Sequence, residues 1–514
     1  MDLKQLLIPL PLAQKEYIGI NTIVKRGNDM KKIKSKLAII LMMMLIVTSF
    51  EFVGVFAEGE DGDAPAVAPA ATEEMQDTDV KEEAPVVTEE AVEAEGEADE
   101  AVPEAEEVPT STKQESSYSI TYKATGEGSV TNPEDYCVAS KIQGSTATPN
   151  DGYALKGWFF DGAEEAFSTE EALTAEAVLA KLAEEGKTSG EFEAKFEVNI
   201  QINDLHGLSS YKSVYLRWQN PAPAEDVTYT ITCNGETVNA DVTKRGDDEK
   251  YDPGYFECKI TGLSSDINCN TGKYPSYSFT VTATSKSDPS ITKTAKKSCS
   301  PVKTIAYKIK VKSSSTLTSH YGPDGKKNAS KKFTVKKGQY IYAYGYGFGG
   351  KYVFRDPRGY VFFCNLTRTK RRSCVYTSGW NYTDEEATLF VNDRGVSSSR
   401  DSLVWVNTFT QHIYLFKRVD GKWVLNGVSA ECSTGKASSP SPTVQNGMKS
   451  VEGYIRKRHG IPYWTKYSGI NAIHAKKAKW KMGRPASNGC VRNYESNAKK
   501  IYDRTRKGTR VFLY

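Results

Sequence analysis

The stretch Gly469–Asn493, GINAIHAKKAKWKMGRPASNGCVRN, decides how the rest of the chain is read. It holds His474, one of five histidines, and Cys490, which follows Ser487-Asn488-Gly489. Apolar Ala472 and Ile473 lead into the histidine as the end of a strand does. Ser-Asn-Gly spells a tight turn, in which backbone amides are left free to face a ligand. A thiol becomes a nucleophile when a nearby base takes its proton, and a histidine–cysteine pair supplies both partners. The alternative reading of Cys490 is a buried or disulfide-bonded thiol, as is common in exported proteins.

Outward from this stretch, Leu403–Phe409 and His412–Val419 alternate as strands. Asp420-Gly421 is a hairpin turn into Lys422–Val428. Asn493–Lys507 carries Ala498, Ile501, Tyr502 and Thr505 at helical spacing, with Gly508 where a helix C′ glycine belongs. Arg510–Tyr514 is a last strand. The final domain, 402–514, is thus mostly β with one late helix. It is also basic: from Leu403 to Tyr514 there are 21 Lys/Arg against 5 Asp/Glu. Such a surface expects an anionic partner, either nucleic acid or an anionic cell-wall polymer.

The N-terminal region chooses between them. Lys31–Lys36 is a basic segment, Leu37–Phe50 an apolar one, and Val55-Phe56-Ala57 a small-residue cleavage site, so 1–57 reads as an export signal with Met30 a candidate start. An uncleaved anchor is the other reading, because Leu37–Ala57 is nearly long enough to span a bilayer. Export to the cell wall or extracellular face argues against nucleic acid. Residues 58–117 hold 21 Asp/Glu and 2 Lys with no aromatic residue, the composition of an extended, unfolded linker.

The middle of the chain reads as a series of β modules. Residues 118–198 alternate as strands around a helix-like Thr169–Glu184, and resemble the small repeat modules of bacterial surface proteins. An unassigned α+β spacer is the plainer alternative. Residues 199–304 space short strands as in a sandwich. Trp218 and Gly262-Leu263 followed by Tyr277 resemble a fibronectin type III domain. Residues 305–368, with Lys336-Lys337-Gly338 and Gly359-Tyr360, resemble a bacterial SH3-like barrel, in which the tyrosines serve wall contact or packing. Residues 369–401 are polar and read as a connector. Four cysteines near the sandwich (Cys233, Cys258, Cys269, Cys299) allow one or two disulfides. With few histidines and no CxxC pair, no metal or other cofactor is expected.

Several motifs occur in one order: the Asp-Gly hairpin, Ser433-Thr434-Gly435, Pro462-Tyr463-Trp464, Ala472-Ile473-His474, Ser487–Arg492 and Gly508–Val511. Together they resemble an L,D-transpeptidase (YkuD-like) catalytic domain over about the last 110 residues. The resemblance implies a peptidoglycan stem peptide as substrate and a 3→3 cross-link as product. Cys490 is then the acyl-enzyme nucleophile and His474 its base, with the Ala475 carbonyl orienting the ring. Amides around Asn488 and Gly489 hold the oxyanion. Arg492 either pairs with a substrate carboxylate or makes a structural salt bridge. Ser487 lies in the substrate-binding set, as do Tyr463, Trp464 and Tyr467, which line the groove unless they are core. The family usually has histidine where this chain has Asn488, and the spacing from His474 to Ser487 is short. Two other readings stand beside it. One is a wall peptidase, such as an L,D-carboxypeptidase. The other is a non-catalytic wall-binding protein, with upstream modules making wall or protein contacts. His459 is a rival base, set in a basic run.

Overall fold

The computed structural model describes residues 116–347, 351–365, 369–444 and 447–514. The signal or anchor segment and residues 58–115 of the acidic linker lie outside the described residues. The chain is mainly β, in several sheets, as its alternating pattern predicts.

In the first module, strand Ser117–Thr125 pairs in parallel with Ser189–Val198, which pairs antiparallel with Tyr153–Phe160. Helix α1 (Ala175–Glu184) buries Val178 and Leu182 against Trp158 and Phe192. It is shorter than its apolar pattern, because Ala172–Thr174 is taken up as strand and Thr174 becomes the N-cap.

Two four-stranded sheets follow, and Trp218, Leu216 and Phe256 of one pack on Ile231, Phe279 and Val281 of the other. The Tyr277 hydroxyl accepts the Ser264 amide at 2.8 Å, tying the loop that follows Gly262 to the strand. Cys233, Cys258, Cys269 and Cys299 are all free thiols, so the expected disulfides are not formed.

The expected SH3-like barrel is not closed. Seven strands form an open sheet whose edges are Lys332–Val335 and Thr369–Val375. The reason is a long-range pairing: Thr369–Val375, read as connector, pairs with Ala306–Val311 and forms one edge of the sheet. The rest of that connector is not irregular either. Helix α2 (Asp384–Asp393) starts on a capping box in which Thr383 and Glu386 each accept the other's backbone N–H.

In the last domain, β1 (Ser402–Asn407), β2 (His412–Val419), β3 (Lys422–Glu431), β4 (Lys449–Ser450) and β9 (Arg510–Leu513) form a five-stranded sheet in the order β3-β2-β1-β9-β4. The second sheet runs β5 (Gly453–Arg458), β6 (Ile461–Ser468), β7 (Asn471–Ala475), β8 (Val491–Asn493). Asp420 and Gly421 both take positive φ, 47° and 78°, the backbone of a tight hairpin whose twist matches its strands.

Strand β1 is buried on both faces, and its alternation divides two cores. Val404 and Val406 face the inter-sheet core with Val428, Ile473 and Val491. Leu403 and Trp405 face α2, where Phe390 stacks on Trp405 at 4.4 Å. Helix α3 (Glu495–Arg504) is the late helix, packing Ala498 and Ile501 inward. Its cap is Thr505; Gly508, at φ 94°, belongs to the following turn rather than to the helix end.

α2 also joins this domain to the sandwich. Its Asp393 accepts Ser210 Oγ at 2.6 Å and pairs with Lys259 at 2.7 Å. Glu385 pairs with the buried Arg217 at 2.7 Å, and Glu386 accepts the Ser209 amide at 2.7 Å.

Candidate active site

The second sheet carries the histidine on one strand and the cysteine just before the next. Strands β7 and β8 run parallel, with Ile473 opposite Val491 and His474 opposite Arg492. Cys490 immediately precedes β8, level with Ala472 on β7, two residues before His474. Ala472, Ala475, Trp464 and Cys490 share one small apolar cluster.

The turn before the cysteine is held by its own side chains. Ser487 Oγ donates to the Cys490 carbonyl at 2.5 Å and accepts the Gly489 amide at 3.2 Å. Ser441 Oγ and Tyr467 OH both donate to the Gly489 carbonyl, at 2.7 and 3.1 Å. Gly489 has φ 109°, and a Cβ there meets Asn471 Oδ1 at 2.5 Å, so the position needs glycine. Two expectations change here. Ser487 is 1% exposed and Tyr467 fully buried, so both support the turn from below rather than contact substrate. The Gly489 amide is spent inside the turn, on Ser487 Oγ. Asn488 lies exposed at the turn's outer corner.

His474 is 3% exposed. Its Nδ1 lies 2.7 Å from the Ala475 carbonyl oxygen, an acceptor only. The proton therefore sits on Nδ1, and Nε2 keeps a lone pair. Burial, with the Arg492 charge adding to it, holds the imidazole down at about 4 despite the Ala475 bond. The ring is held between two tryptophans: Trp464 stacks on it at 4.2 Å and Trp480 meets it edge-on at 6.0 Å. Trp464 is thus a positioning residue rather than a groove wall, anchored by its own Nε1 to the Ile461 carbonyl at 2.9 Å. Tyr463, at φ 56°, turns away to Tyr502 of α3.

Burial also raises the Cys490 thiol; a backbone hydrogen bond from Ala472 and the Arg492 and Arg458 charges act the other way. Arg492 makes no salt bridge among the described residues. Its guanidinium lies over Trp480, 4.0 Å from the ring centroid. His459 is excluded as a base, being exposed at the β5–β6 turn at φ 49° and bonded to Arg458.

Sequence reasoning missed Ser441, Asn471, Arg458 and Trp480. Only Trp480, an apolar residue within the lysine-rich run Lys476–Lys481, carried a signal in the sequence. A cavity of about 620 Å³ between the sandwich loop at Asp266 and the sheet at Arg355 holds none of these residues.

Residues 401–513 match the YkuD family model, the L,D-transpeptidase catalytic domain. No curated protein matches the sequence. Among solved structures, the chain is similar to an L,D-transpeptidase (Yku) from Stackebrandtia nassauensis, with 21% identity, TM-score 0.20, and coverage of 23% of this chain and 58% of that one. It is also similar to a fused Zn-dependent amidase/peptidase/peptidoglycan-binding domain-containing protein from Clostridium acetobutylicum, with 23% identity, TM-score 0.20, and coverage of 23% and 55%. A third is an Enterococcus faecium L,D-transpeptidase, with 17% identity, TM-score 0.18, and coverage of 32% and 74%. The chain spans little more than half the length of the first two structures.

Proposed function

We propose that the L,D-transpeptidase catalytic domain at residues 401–513 joins peptidoglycan stem peptides through an acyl-enzyme on Cys490, in an exported protein. The observation that carries this reading is the His474 Nδ1–Ala475 carbonyl bond, which leaves Nε2 free to act as base on the strand paired with the one that follows Cys490. His474 Nε2 takes the thiol proton as the sulfur attacks the carbonyl between the third residue and the terminal D-alanine. The Cys490 amide holds the oxyanion of the tetrahedral intermediate. When the C–N bond breaks, His474 returns its proton to the leaving D-alanine amine. The amine of a second stem's third residue then attacks the thioester and passes a proton to His474. The Cys490 thiolate leaves and is reprotonated, giving a 3→3 cross-link. If water replaces the acceptor amine, the outcome is carboxypeptidase trimming. The basic domain surface favours anionic wall polymers as neighbours, not nucleic acid.

The test is incubation of the full chain with tetrapeptide-stem disaccharides and mass spectrometry of the products. Loss of D-alanine with dimer formation supports cross-linking, and loss without dimers supports trimming. Neither product, with the Cys490→Ala chain indistinguishable from the native one, overturns the enzyme reading in favour of wall binding.

A further inference from the structure

Two guanidiniums lie over the two tryptophans that contact His474, with no carboxylate partner among the described residues. Arg492 follows Cys490 on β8 and lies over Trp480 at 4.0 Å. Arg458 comes from the other side, at the end of β5, and lies 5.6 Å from the Trp464 centroid. Neither forms a salt bridge among the described residues. Among the described residues, the Arg458 side chain donates to the neighbouring His459, at 3.2 Å. Both charges act on the Cys490 thiol. The two tryptophans that carry them are the same two that hold His474. The series Arg458–Trp464–His474–Trp480–Arg492 thus arranges two cations around the reacting pair, each braced on an aromatic face.

Stacking on indole restrains the planar guanidinium fork and leaves its N–H edge for a carboxylate. In a peptide that ends one residue past the scissile bond, the terminal carboxylate is three bonds from the attacked carbonyl carbon. Standard backbone dimensions keep it within about 5 Å of that carbon. A longer peptide carries an uncharged amide there.

We propose that Arg458, with Arg492, forms a two-armed receptor for the free carboxylate of the residue to be expelled, and so restricts attack to the last peptide bond of the donor. This rests on the acyl-transfer reading above and adds Arg458 and Trp480 as specificity-determining residues. Lys477, 5.8 Å from the Trp480 centroid, adds positive charge at the same rim and serves as a control.

The experiment measures binding to the full Cys490→Ala chain, so that turnover plays no part. A tetrapeptide stem with a free C-terminal carboxylate is compared with its C-terminal amide by calorimetry at fixed salt. The acid should bind about tenfold more tightly, in keeping with a charge-assisted hydrogen bond at a partly exposed site. Arg458→Gln should remove most of that preference, while Lys477→Gln should keep it. In chains that retain Cys490, Arg458→Gln should raise KM for the acid with little change in kcat. Equal binding of acid and amide by the Cys490→Ala chain, where the native chain turns over, overturns the receptor and leaves the acyl-transfer reading standing. An equal loss of preference in Lys477→Gln and Arg458→Gln also overturns it, in favour of a general positive field. Binding of neither peptide, with no turnover, overturns both.

Discussion

The indole of Trp464 lies flat against the imidazole of His474, with ring centroids 4.2 Å apart and planes 17° from parallel. One contact sets both the aim of the histidine and its dryness. Replacing Trp464 by Leu should lower kcat about a hundredfold, the scale of an ångström-level misplacement. Trp464→Phe keeps a stacking face and should retain most of the rate. Water reaching the ring should also lift its proton affinity from about 4 toward the ordinary 6.5. His474 works unprotonated, so the acid limb of the kcat/KM profile should move to higher pH in Trp464→Leu. A limb that stays in place separates positioning from solvation.

The same burial has a stability consequence. His474 and His412 are both held down to about 4, each chiefly by burial. The unfolded chain, with its histidines near 6.5, binds protons that the folded chain refuses. Stability should therefore be full above about pH 6.5 and fall as pH drops toward 4, by on the order of 3 kcal/mol per histidine. Melting temperature followed across this window checks the prediction. His412→Gln should remove about half of the slope.

Gly489 should not tolerate a side chain. Its φ of 109° and the Asn471 Oδ1 atom 2.5 Å from a Cβ make Gly489→Ala costly twice over. The strain is worth about 1–3 kcal/mol. Activity should fall further than stability, because the same peptide aims the Cys490 amide. A double variant with Asn471→Ala should recover part of the stability and little of the rate.

Ser441 and Tyr467 hold the Gly489 carbonyl from beneath. Tyr467→Phe should cost about 1 kcal/mol. Ser441→Ala also strips the Gly435 amide of its 2.8 Å acceptor and should cost about 1–3 kcal/mol. By contrast, Asn488→Ala at the exposed corner should leave kcat within about twofold. A large loss there assigns the Asn488 side chain a direct contact with substrate. Chemical denaturation and steady-state rates on the three variants decide.

Helix α2 should be needed for the catalytic sheet to fold. A fragment starting at Leu403 uncovers the face of Trp405, Tyr414 and Phe416 that Phe390 and Val391 cover. Such a fragment should show no cooperative melt. In the full chain, Asp393→Ala strips Ser210, Tyr215 and Lys259 of their shared acceptor and should lower the melting temperature by several degrees. A fragment that melts cooperatively overturns this.

The contrast between α2 and Cys490 shows which features were legible in the sequence. His474, Cys490 and the Asp420-Gly421 hairpin announce themselves because their chemistry or turn geometry is written in adjacent residues. The capping box Thr383–Glu386 was equally local, but the polar surroundings hid it in what reads as a connector. The open edge at Thr369–Val375 was not legible, since closure depends on which distant strand pairs with Ala306–Val311. The roles of Ser487, Trp464 and Tyr467 were hidden for a related reason. Their residue types suit a groove and a core equally, and only the meeting of β6, β7 and the Ser441 loop assigns them.

The stacked pair has a spectroscopic corollary. A protonated imidazole quenches a neighbouring indole by accepting an electron from its excited state, whereas a neutral one does so poorly. Trp464 is therefore an internal optical probe of the charge on His474. The difference between the fluorescence titrations of the native chain and of Trp464→Phe, followed while the chain stays folded, reads the state of that histidine.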